Sequence, residues 1–433
     1  MSTANLSAKA SIATKSILSR TEGKRVFVRV DFNVPISSDG RVESDLRLRS
    51  ALPTLRLLLD EGGAKLLILA SHLGRPGGKV KPELSLLPVA NSLRDLLKKD
   101  YETNNAKNFK CPTVEFVQDC IGDSVAKAVE KSEPHSILLL ENLRFYPEEE
   151  AGKNITEEQQ MNFIKQLFAH SDLFVNDAFG TAHRAHSSMV GFSKLYKNDS
   201  KKLAVSGLLM ARELKNFAVI LEKPEKPVMC IVGGAKVVDK CKLLLNLLQI
   251  SDTLIICGGL AYPFLKVVYN KKIGKFPSPP ESEEVVKAVA DEAKKLGVKI
   301  LLPQDFVCAE SLESEKTVYS DGEVLDGMLG LDCGEKSNKE FEKAIKESKT
   351  ILWNGPPGVF EKKPFESGSI HMLNAICSSN AVKVAGGGDT TNLVLKMAKE
   401  SSFDLVSTGG GASLELLEGK VLPGVAALSE INT

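Results

Sequence analysis

The feature that most limits how this chain folds is a series of short, β-branched apolar runs without period-two alternation. They are "RVFVRV" (25–30), "AKLLILA" (64–70), "TVEFV" (113–117), "ILLLE" (137–141), "LFVND" (173–177), "PVMCIV" (227–232), "DTLIIC" (252–257), "GVKILL" (297–302), "TILW" (350–353), "AVKVA" (381–385) and "FDLVS" (403–407). A strand with consecutive apolar residues is buried on both faces, as in a parallel sheet covered by helices. Helical patterns fill the gaps, among them "LRLRSALPTLRLLLDEGG" and "SEEVVKAVADEAKKLG", the latter stopping at Gly297 as at a helix C-cap. Alternation of this kind predicts an α/β architecture.

At 433 residues the chain exceeds what one hydrophobic core serves, so two domains are expected. The boundary is placed in "SGLLMARELKNFAVILEKPEKP" (206–227), where Leu214, Phe217, Ala218 and Leu221 have helical spacing and Pro224 ends it. This gives a first domain over 1–205, a second over 206–410 entered through a stiff linker helix at about 206–223, and a tail over 411–433 that docks back on the first. Residues 1–24 contain no acid before Glu22 and faintly resemble a transit peptide, but a disordered or loosely docked terminus is the preferred reading.

Composition excludes several classes. A net charge of +1 argues against nucleic-acid and membrane-surface partners, which demand a basic excess. No apolar run approaches the roughly 20 residues of a membrane span. Eight cysteines without CxxC spacing fit reduced thiols in the cytoplasm.

Residue types are distributed unevenly. Every arginine lies at or before Arg212, and five of six histidines at or before His186, whereas the glycine clusters 233–234, 258–259, 386–388 and 409–411 come later. Arginine offers a planar fork matched to phosphate and carboxylate. Glycine turns at strand ends cradle phosphate through backbone N–H groups. Two ligands, one per domain, are therefore expected.

In α/β sheets ligands gather beyond the carboxyl ends of strands. In the first half those segments are "DFNVP" (31–35), "SHLGRP" (71–76), "NLRFYPEEE" (142–150) and "DAFGTAHRAHSS" (177–188). Arg75, Arg144 and Arg184 follow three separate runs and Arg47 begins a helical pattern, so with His72 and His183 they form a candidate site for a small polyanion. One such arginine alone is usually a surface charge. Asp31 and Asn33 add acceptors, which suits a hydroxylated ligand, or close an Asx turn. His183 and His186 lack a third ligand at suitable spacing, so a zinc site is not expected.

In the second half "GGAKVVDK" (233–240) puts Lys236 and Lys240 four apart, on one face of an expected helix, within reach of a phosphate chain or merely on a solvated basic face. "WNGPPGVFE" (353–361) is a rigid turn carrying Asn354 and Glu361, which suits the edge of a base or sugar, or is a turn only. "VAGGGDTTNLVLKMA" (384–398) is neither GxxxxGK[ST] nor GxGxxG, yet it offers free amides, Thr390 and Asp389, a hard oxygen ligand suited to Mg²⁺. "STGGGAS" (407–413) adds a second glycine-capped helix start.

Taken together and in order, "RVDFNVP", "SHLGRP", "DAFGTAHRAHSSMVG", "GGAKVVDK", "WNGPPGVFE", "GGGDT" and "STGGGASLELLEGKVLPGV" resemble the phosphoglycerate kinase family from residue 25 to the end. The resemblance implies two doubly wound parallel-sheet domains facing a cleft, the triose acid on the first and the nucleotide on the second, in a monomer whose tail packs on the first domain. By motif, Asp31, Asn33, Arg47, His72, Arg75, Arg144 and Arg184 resemble a 3-phosphoglycerate site, with His183 nearby. Gly234, Lys236, Lys240, Gly258, Gly259, Gly330, Asn354, Glu361, Gly387, Gly388 and Thr390 resemble nucleotide contacts, and Asp389 the metal ligand. The implied reaction moves a phosphoryl group between 1,3-bisphosphoglycerate and MgADP, giving 3-phosphoglycerate and MgATP. Arg47 and Lys236 are the expected catalytic residues, helped by the amides of Gly388 and Gly410.

The sequence departs from the family at Cys257, Leu260 and Pro263, where Gly, Met and Thr are usual, at Pro357, where Val is common, and at Leu405, usually His. The first four are expected near the adenine pocket. Two other readings remain: a dehydrogenase, disfavoured because the first run leads into "DFNVP" and not a glycine fingerprint, and a non-catalytic nucleotide-binding scaffold.

Overall fold

The computed structural model describes residues 5–103 and 109–431. Contacts divide these residues into two compact units, one of residues up to Lys215 together with Val421 onward, the other of Asn216–Lys420.

The first unit is built on a six-stranded parallel sheet of β1 (Arg25–Val30), β2 (Leu66–Ala70), β3 (Thr113–Val117), β4 (Ser136–Leu140), β5 (Leu173–Asp177) and β6 (Ala204–Ser206), in the order β3-β4-β2-β1-β5-β6. Val26, Val28, Leu67 and Leu69 face one apolar cluster while Phe27, Leu66, Ile68 and Ala70 face another. Burial on both faces is why these runs show no alternation. Helices Leu46–Arg56 and Leu87–Thr103 pack into the first cluster, and Glu157–Leu167 into the second.

The second unit repeats the plan with β7 (Val228–Val232), β8 (Thr253–Ile256), β9 (Lys299–Leu301), β13 (Thr350–Asn354), β14 (Val382–Ala385) and β15 (Leu405–Val406), in the order β15-β14-β13-β7-β8-β9. The expected α/β class is thus present in both units as parallel six-stranded sheets flanked by helices. Between β9 and β13 the chain makes a further three-stranded antiparallel sheet, β11 (Val318–Asp321), β10 (Asp305–Ala309) and β12 (Leu329–Cys333). In each six-stranded sheet the order reverses beside the first strand of the unit, between β1 and β5 and between β7 and β13. Strand ends at such a reversal leave a crevice for ligands.

The divisions at 215/216 and 420/421 lie later than the boundaries expected at 205/206 and 410/411. The first falls inside the helix Leu208–Leu221. Near the second, the helix Gly411–Leu417 belongs to the second unit, where the Leu417 carbonyl accepts from Asn246 Nδ2 at 2.8 Å. Only from Val421 does the chain run in the first unit, with Ser429 N donating to the Ala204 carbonyl at 2.7 Å and Gly424 N to Ala182 at 2.8 Å.

Residues 5–24 are not loosely docked. Ile12 is fully buried and donates its N–H to the Ser206 carbonyl at 3.0 Å, and Lys9 pairs with Glu430 at 3.1 Å. Apolar Leu6, Ile12 and Ile17, spread through a polar segment, are what anchor it. Residues 1–4 lie outside the described residues.

Candidate active site

At the carboxyl end of the first sheet the side chains are tied to one another. Asp31, just after β1, accepts from Arg47 Nη1, which the helix Leu46–Arg56 supplies from its second position. Asn33 Oδ1 accepts the N–H of Gly74 at 2.9 Å, and the carbonyl of Gly74 accepts from Arg144 Nη1 at 2.9 Å. The segments after β1, β2 and β4 are thereby linked through one residue, which fixes Asn33 with its amide nitrogen left as a donor.

Arg29, inside "RVFVRV", is a buried cation that the apolar pattern of that run conceals. It is fully buried and uses all three guanidinium nitrogens: Nε donates to Ser188 Oγ at 2.9 Å, Nη1 to the Val30 carbonyl, and Nη2 meets His72 Nδ1 at 3.2 Å. A guanidinium only donates, so His72 Nδ1 must be the unprotonated nitrogen and Nε2 carries the ring's proton. Burial, reinforced by Arg29 and Arg144, holds the His72 imidazolium form well below its ordinary pKa. Glu149, also fully buried, accepts from Ser188 N at 2.9 Å and Ser188 Oγ at 2.6 Å. Its carboxyl is pushed up by burial and drawn back by Arg29. His186 lies 3.9 Å from Glu149 and 4.0 Å from Glu150, and burial with the nearby arginines pushes it down to about 3. Burial first, and the surrounding arginines second, keep both imidazoles neutral.

Arg144 is itself buried, 3.2 Å from Glu150, and its pKa is lowered first by burial and also by Arg184 and Arg75. Those two side chains are exposed, and His183 is half-buried. Two bonded groups thus stand here, Asp31, Arg47, Asn33, Gly74 and Arg144 in one and Arg29, His72, Ser188 and Glu149 in the other, while Arg75 and Arg184 contribute field from the surface. The signal that could have found Arg29 is a cation in the penultimate position of a strand whose residues 26–28 and 30 are apolar.

In the second unit a cavity of about 400 Å³ opens among Gly234, Gly258, Gly259, Gly330, Glu361 and Asp389. Its walls include Tyr262, Phe276, Leu331 and the turn from Pro356 to Phe360. A Cβ on Gly259 would lie 2.6 Å from the Ala235 carbonyl oxygen and 2.9 Å from that of Gly234, so only glycine lets the turns after β7 and β8 meet. Tyr262 OH donates to the Gly330 carbonyl at 2.6 Å, which ties the cavity's aromatic wall to β12.

Lys236, Lys240, Asn354, Gly387, Gly388, Thr390 and Gly410 do not line that cavity. They stand around the ends of β7, β13, β14 and β15. Lys240 Nζ donates to Asn354 Oδ1 at 3.1 Å, and burial lowers its pKa against the pull of Glu418, Asp389 and Asp239. Gly387 has φ +91° and leaves only 3.0 Å to Asn354 Nδ2 for an added Cβ. Thr390 Oγ1 accepts Gly355 N at 2.7 Å, which joins the ends of β13 and β14. Gly388 opens the helix Gly388–Lys396 with Asp389 exposed in its first turn, and Gly410 precedes Gly411–Leu417.

One expectation fails. Lys236 and Lys240 do not share a helical face: Val237 between them is buried, Val238–Lys240 is a 3-10 turn and the α-helix starts only at Cys241, so Lys236 stands exposed in the preceding loop. The four departures expected near the adenine pocket are not a failure of that kind: Pro357 lines the cavity, and Cys257, Leu260 and Pro263 flank its lining residues Gly258, Gly259 and Tyr262 without lining it themselves. Those three are packed behind the glycine turns. A Cβ added to Gly234 would meet the Leu260 side chain at 3.9 Å, and the Cys257 thiol sits 3.7 Å from the Val232 carbonyl.

Comparison with known proteins agrees with this layout. The family described as phosphoglycerate kinase matches residues 17–420. The chain is 45% identical over 421 residues to the phosphoglycerate kinase of Aspergillus oryzae, covering 94% of this chain and 96% of that one. It is 44% identical to that of Dictyostelium discoideum over 95% of this chain and 96% of the relative. The structure of phosphoglycerate kinase from Coxiella burnetii superposes with a TM-score of 0.82 at 33% identity, covering 97% of this chain and 98% of that one. A match that spans both units and their turns leaves no room for another assignment: the chain belongs to the phosphoglycerate kinase family, kinases whose phosphoryl acceptor is a carboxyl group.

Proposed function

We propose that the first unit binds 3-phosphoglycerate or 1,3-bisphosphoglycerate, that the second binds ADP or ATP, and that the phosphoryl group passes between them reversibly in glycolysis and gluconeogenesis. The observation that carries this reading is the set of donors at the ends of β1, β2 and β4, where Arg47, held by Asp31, Arg144, held by Glu150, and the Nε2 proton of His72 come together. Such a set suits an anion carrying both phosphate and carboxylate.

In the direction that makes the acyl phosphate, a carboxylate oxygen of 3-phosphoglycerate forms a bond to the γ-phosphorus. The bond from that phosphorus to the bridging oxygen breaks, and its electron pair leaves with ADP. The nucleophile is already ionised at neutral pH, so no general base is required. Positioning and charge neutralisation are the task. Arg47 and Lys236 neutralise the equatorial oxygens, with help from the backbone N–H groups of Gly388 and Gly410. The two ligands sit on different units, so transfer needs the units to close on each other, which also keeps water from the phosphoryl group.

The donor set fits a metal that arrives with the nucleotide. Among the described residues no group of three or more His, Cys, Asp or Glu could hold an ion alone, and Asp389 is a single exposed carboxylate on the cavity wall. One hard oxygen ligand suits Mg²⁺ that keeps its waters and its phosphates. Asp389 would hold it, and the bound ion would supply charge neutralisation at the nucleotide phosphates. We place the protein in the cytoplasm, a reading supported by eight unpaired cysteines, and take it as a monomer because the family resemblance implies one.

A coupled assay tests the proposal by following formation of 1,3-bisphosphoglycerate from 3-phosphoglycerate and MgATP. Turnover that requires both substrates and disappears in Lys236→Ala is expected. Nucleotide binding without turnover in the unaltered chain would favour the scaffold reading.

A further inference from the structure

A second cavity, of about 490 Å³, lies in the first unit among Ser19, Arg20, Glu22, Lys24, Asp172, Leu173, Lys201 and Lys202. Lys24 stands just before Arg25, the first residue of β1, and Leu173 is the first residue of β5, so this cavity is at the amino ends of the strands. The site described above uses their carboxyl ends, about 17 Å away along a five-residue strand. It is therefore a separate place on the same sheet.

Four cations and two carboxylates line it. Asp172 is already engaged, accepting from Arg25 N at 3.0 Å and pairing with Arg25 at 3.5 Å and Lys202 at 3.8 Å. Burial is outweighed by these partners, and its carboxyl is held below its ordinary pKa. Lys202 also donates to the Ser171 carbonyl at 2.7 Å and lies 5.0 Å over the Tyr196 ring. Arg20 donates to the carbonyls of Ser200 at 3.4 Å and Lys201 at 3.1 Å, which pins the loop bearing Lys201 against the amino-terminal helix. Lys24 and Lys201, both exposed, have no hydrogen-bond or ion-pair partner for their ammonium groups among the described residues. Two cations are thus held in place by carbonyls while two more are left unpaired around one concavity, whose carboxylates are the exposed Glu22 and, already engaged by Arg25 and Lys202, Asp172.

We propose that this cavity is a second anion site that takes a compact polyanion with two or more phosphoryl groups. Its volume falls within the range of small-molecule sites, about 300–1,000 Å³. Lysines recognise phosphate as point charges and tolerate varied geometry, so the class of ligand is set by charge and size rather than by one shape.

Tripolyphosphate titrated into the full chain tests this, with 3-phosphoglycerate and MgADP held in excess to occupy the other anion sites. Binding is expected to persist under those conditions and to weaken at least tenfold in the double variant Lys24→Ala/Lys201→Ala, while kcat stays within twofold of the unaltered chain. The comparison between variant and parent holds whether or not the blocking ligands bind, so it stands apart from the reaction proposed above. Binding that is absent, or equal in the two proteins, overturns the proposal. A parallel arm presents phosphatidylinositol bisphosphate in phosphatidylcholine vesicles. Lysine-dependent capture there in addition to tripolyphosphate binding identifies a lipid headgroup as a source of the ligand, and capture confined to tripolyphosphate identifies a soluble one.

Discussion

Arg29 in the first unit is buried and bonded through every guanidinium nitrogen, whereas the equivalent strand of the second unit, β7, is wholly apolar and runs into Gly233-Gly234. One unit builds its anion site from charged side chains that must be held and neutralised by partners such as Glu149. The other builds from backbone, where close approach replaces charge and the cations are limited to a few lysines. The contrast teaches that two sheets of the same winding can offer different surfaces: under the proposed function, charged side chains would grip the small acid and a glycine-walled cavity would take the larger nucleotide.

The contrast can be broken in order of effect. Arg47→Ala and Lys236→Ala are each expected to lower kcat by about 10²–10³-fold. Nucleotide affinity, measured by calorimetry, should move far less in Arg47→Ala; equal losses would contradict its assignment to transfer. Arg29→Leu removes the cation facing Glu149 and is expected to destabilise the protein by about 3–5 kcal/mol, because a buried carboxyl is left uncompensated. Chemical denaturation checks this, and Arg29→Leu/Glu149→Gln should recover part of the loss. Full stability in the single variant would mean that Arg29 is not neutralised as described. In the second unit, Gly259→Ala forces a methyl against two carbonyl oxygens and is expected to weaken nucleotide binding about tenfold, or about 1.4 kcal/mol, with 3-phosphoglycerate binding unchanged.

The smallest effect is in pH dependence, and the two units should show opposite signs. His186 has a folded pKa of about 3 against an ordinary 6.5, so the unfolded chain takes up the proton first and stability is lost as pH falls from about 6.5 toward 3. Asp332, on β12 with its oxygens bonded to Gly368 N at 2.7 Å and Cys333 N at 2.9 Å, is pushed by burial up to about 7. Its folded form holds a proton longer, so its contribution is complete below about 3.8 and is lost as pH rises toward 7. His186→Gln should gain on the parent protein as the solution is acidified, and Asp332→Asn should gain as it is made neutral. Parallel slopes from stability measurements across pH 3–8 would refute the assignment.

Much of this was legible in the sequence for a physical reason. Strands buried on both faces carry unbroken apolar runs, and their ends carry the chemistry, so "DFNVP", "SHLGRP" and "GGGDT" marked both the topology and the site. The antiparallel strands β10–β12 were missed because "DFVCA", "VYSD" and "LGLDC" are short and mix polar with apolar residues. Arg29 and Glu149 were missed because a charge inside a strand and an acid in "PEEE" read as surface features, and only the fold brings them to Ser188. The spacing of Lys236 and Lys240 misled because four residues share a face only where a helix has begun. Cys257, Leu260 and Pro263 neighbour the cavity in sequence, but Gly258, Gly259 and Tyr262 between them supply its wall.

The division of labour between side chains and backbone is tested most directly by crossed titrations. 3-Phosphoglycerate and MgADP are each titrated into the unaltered chain, Arg75→Ala/Arg184→Ala and Gly387→Ala. The account predicts that the arginine variant loses affinity for 3-phosphoglycerate alone and the glycine variant for MgADP alone. Loss of both ligands in either variant, or of the opposite ligand, would contradict it.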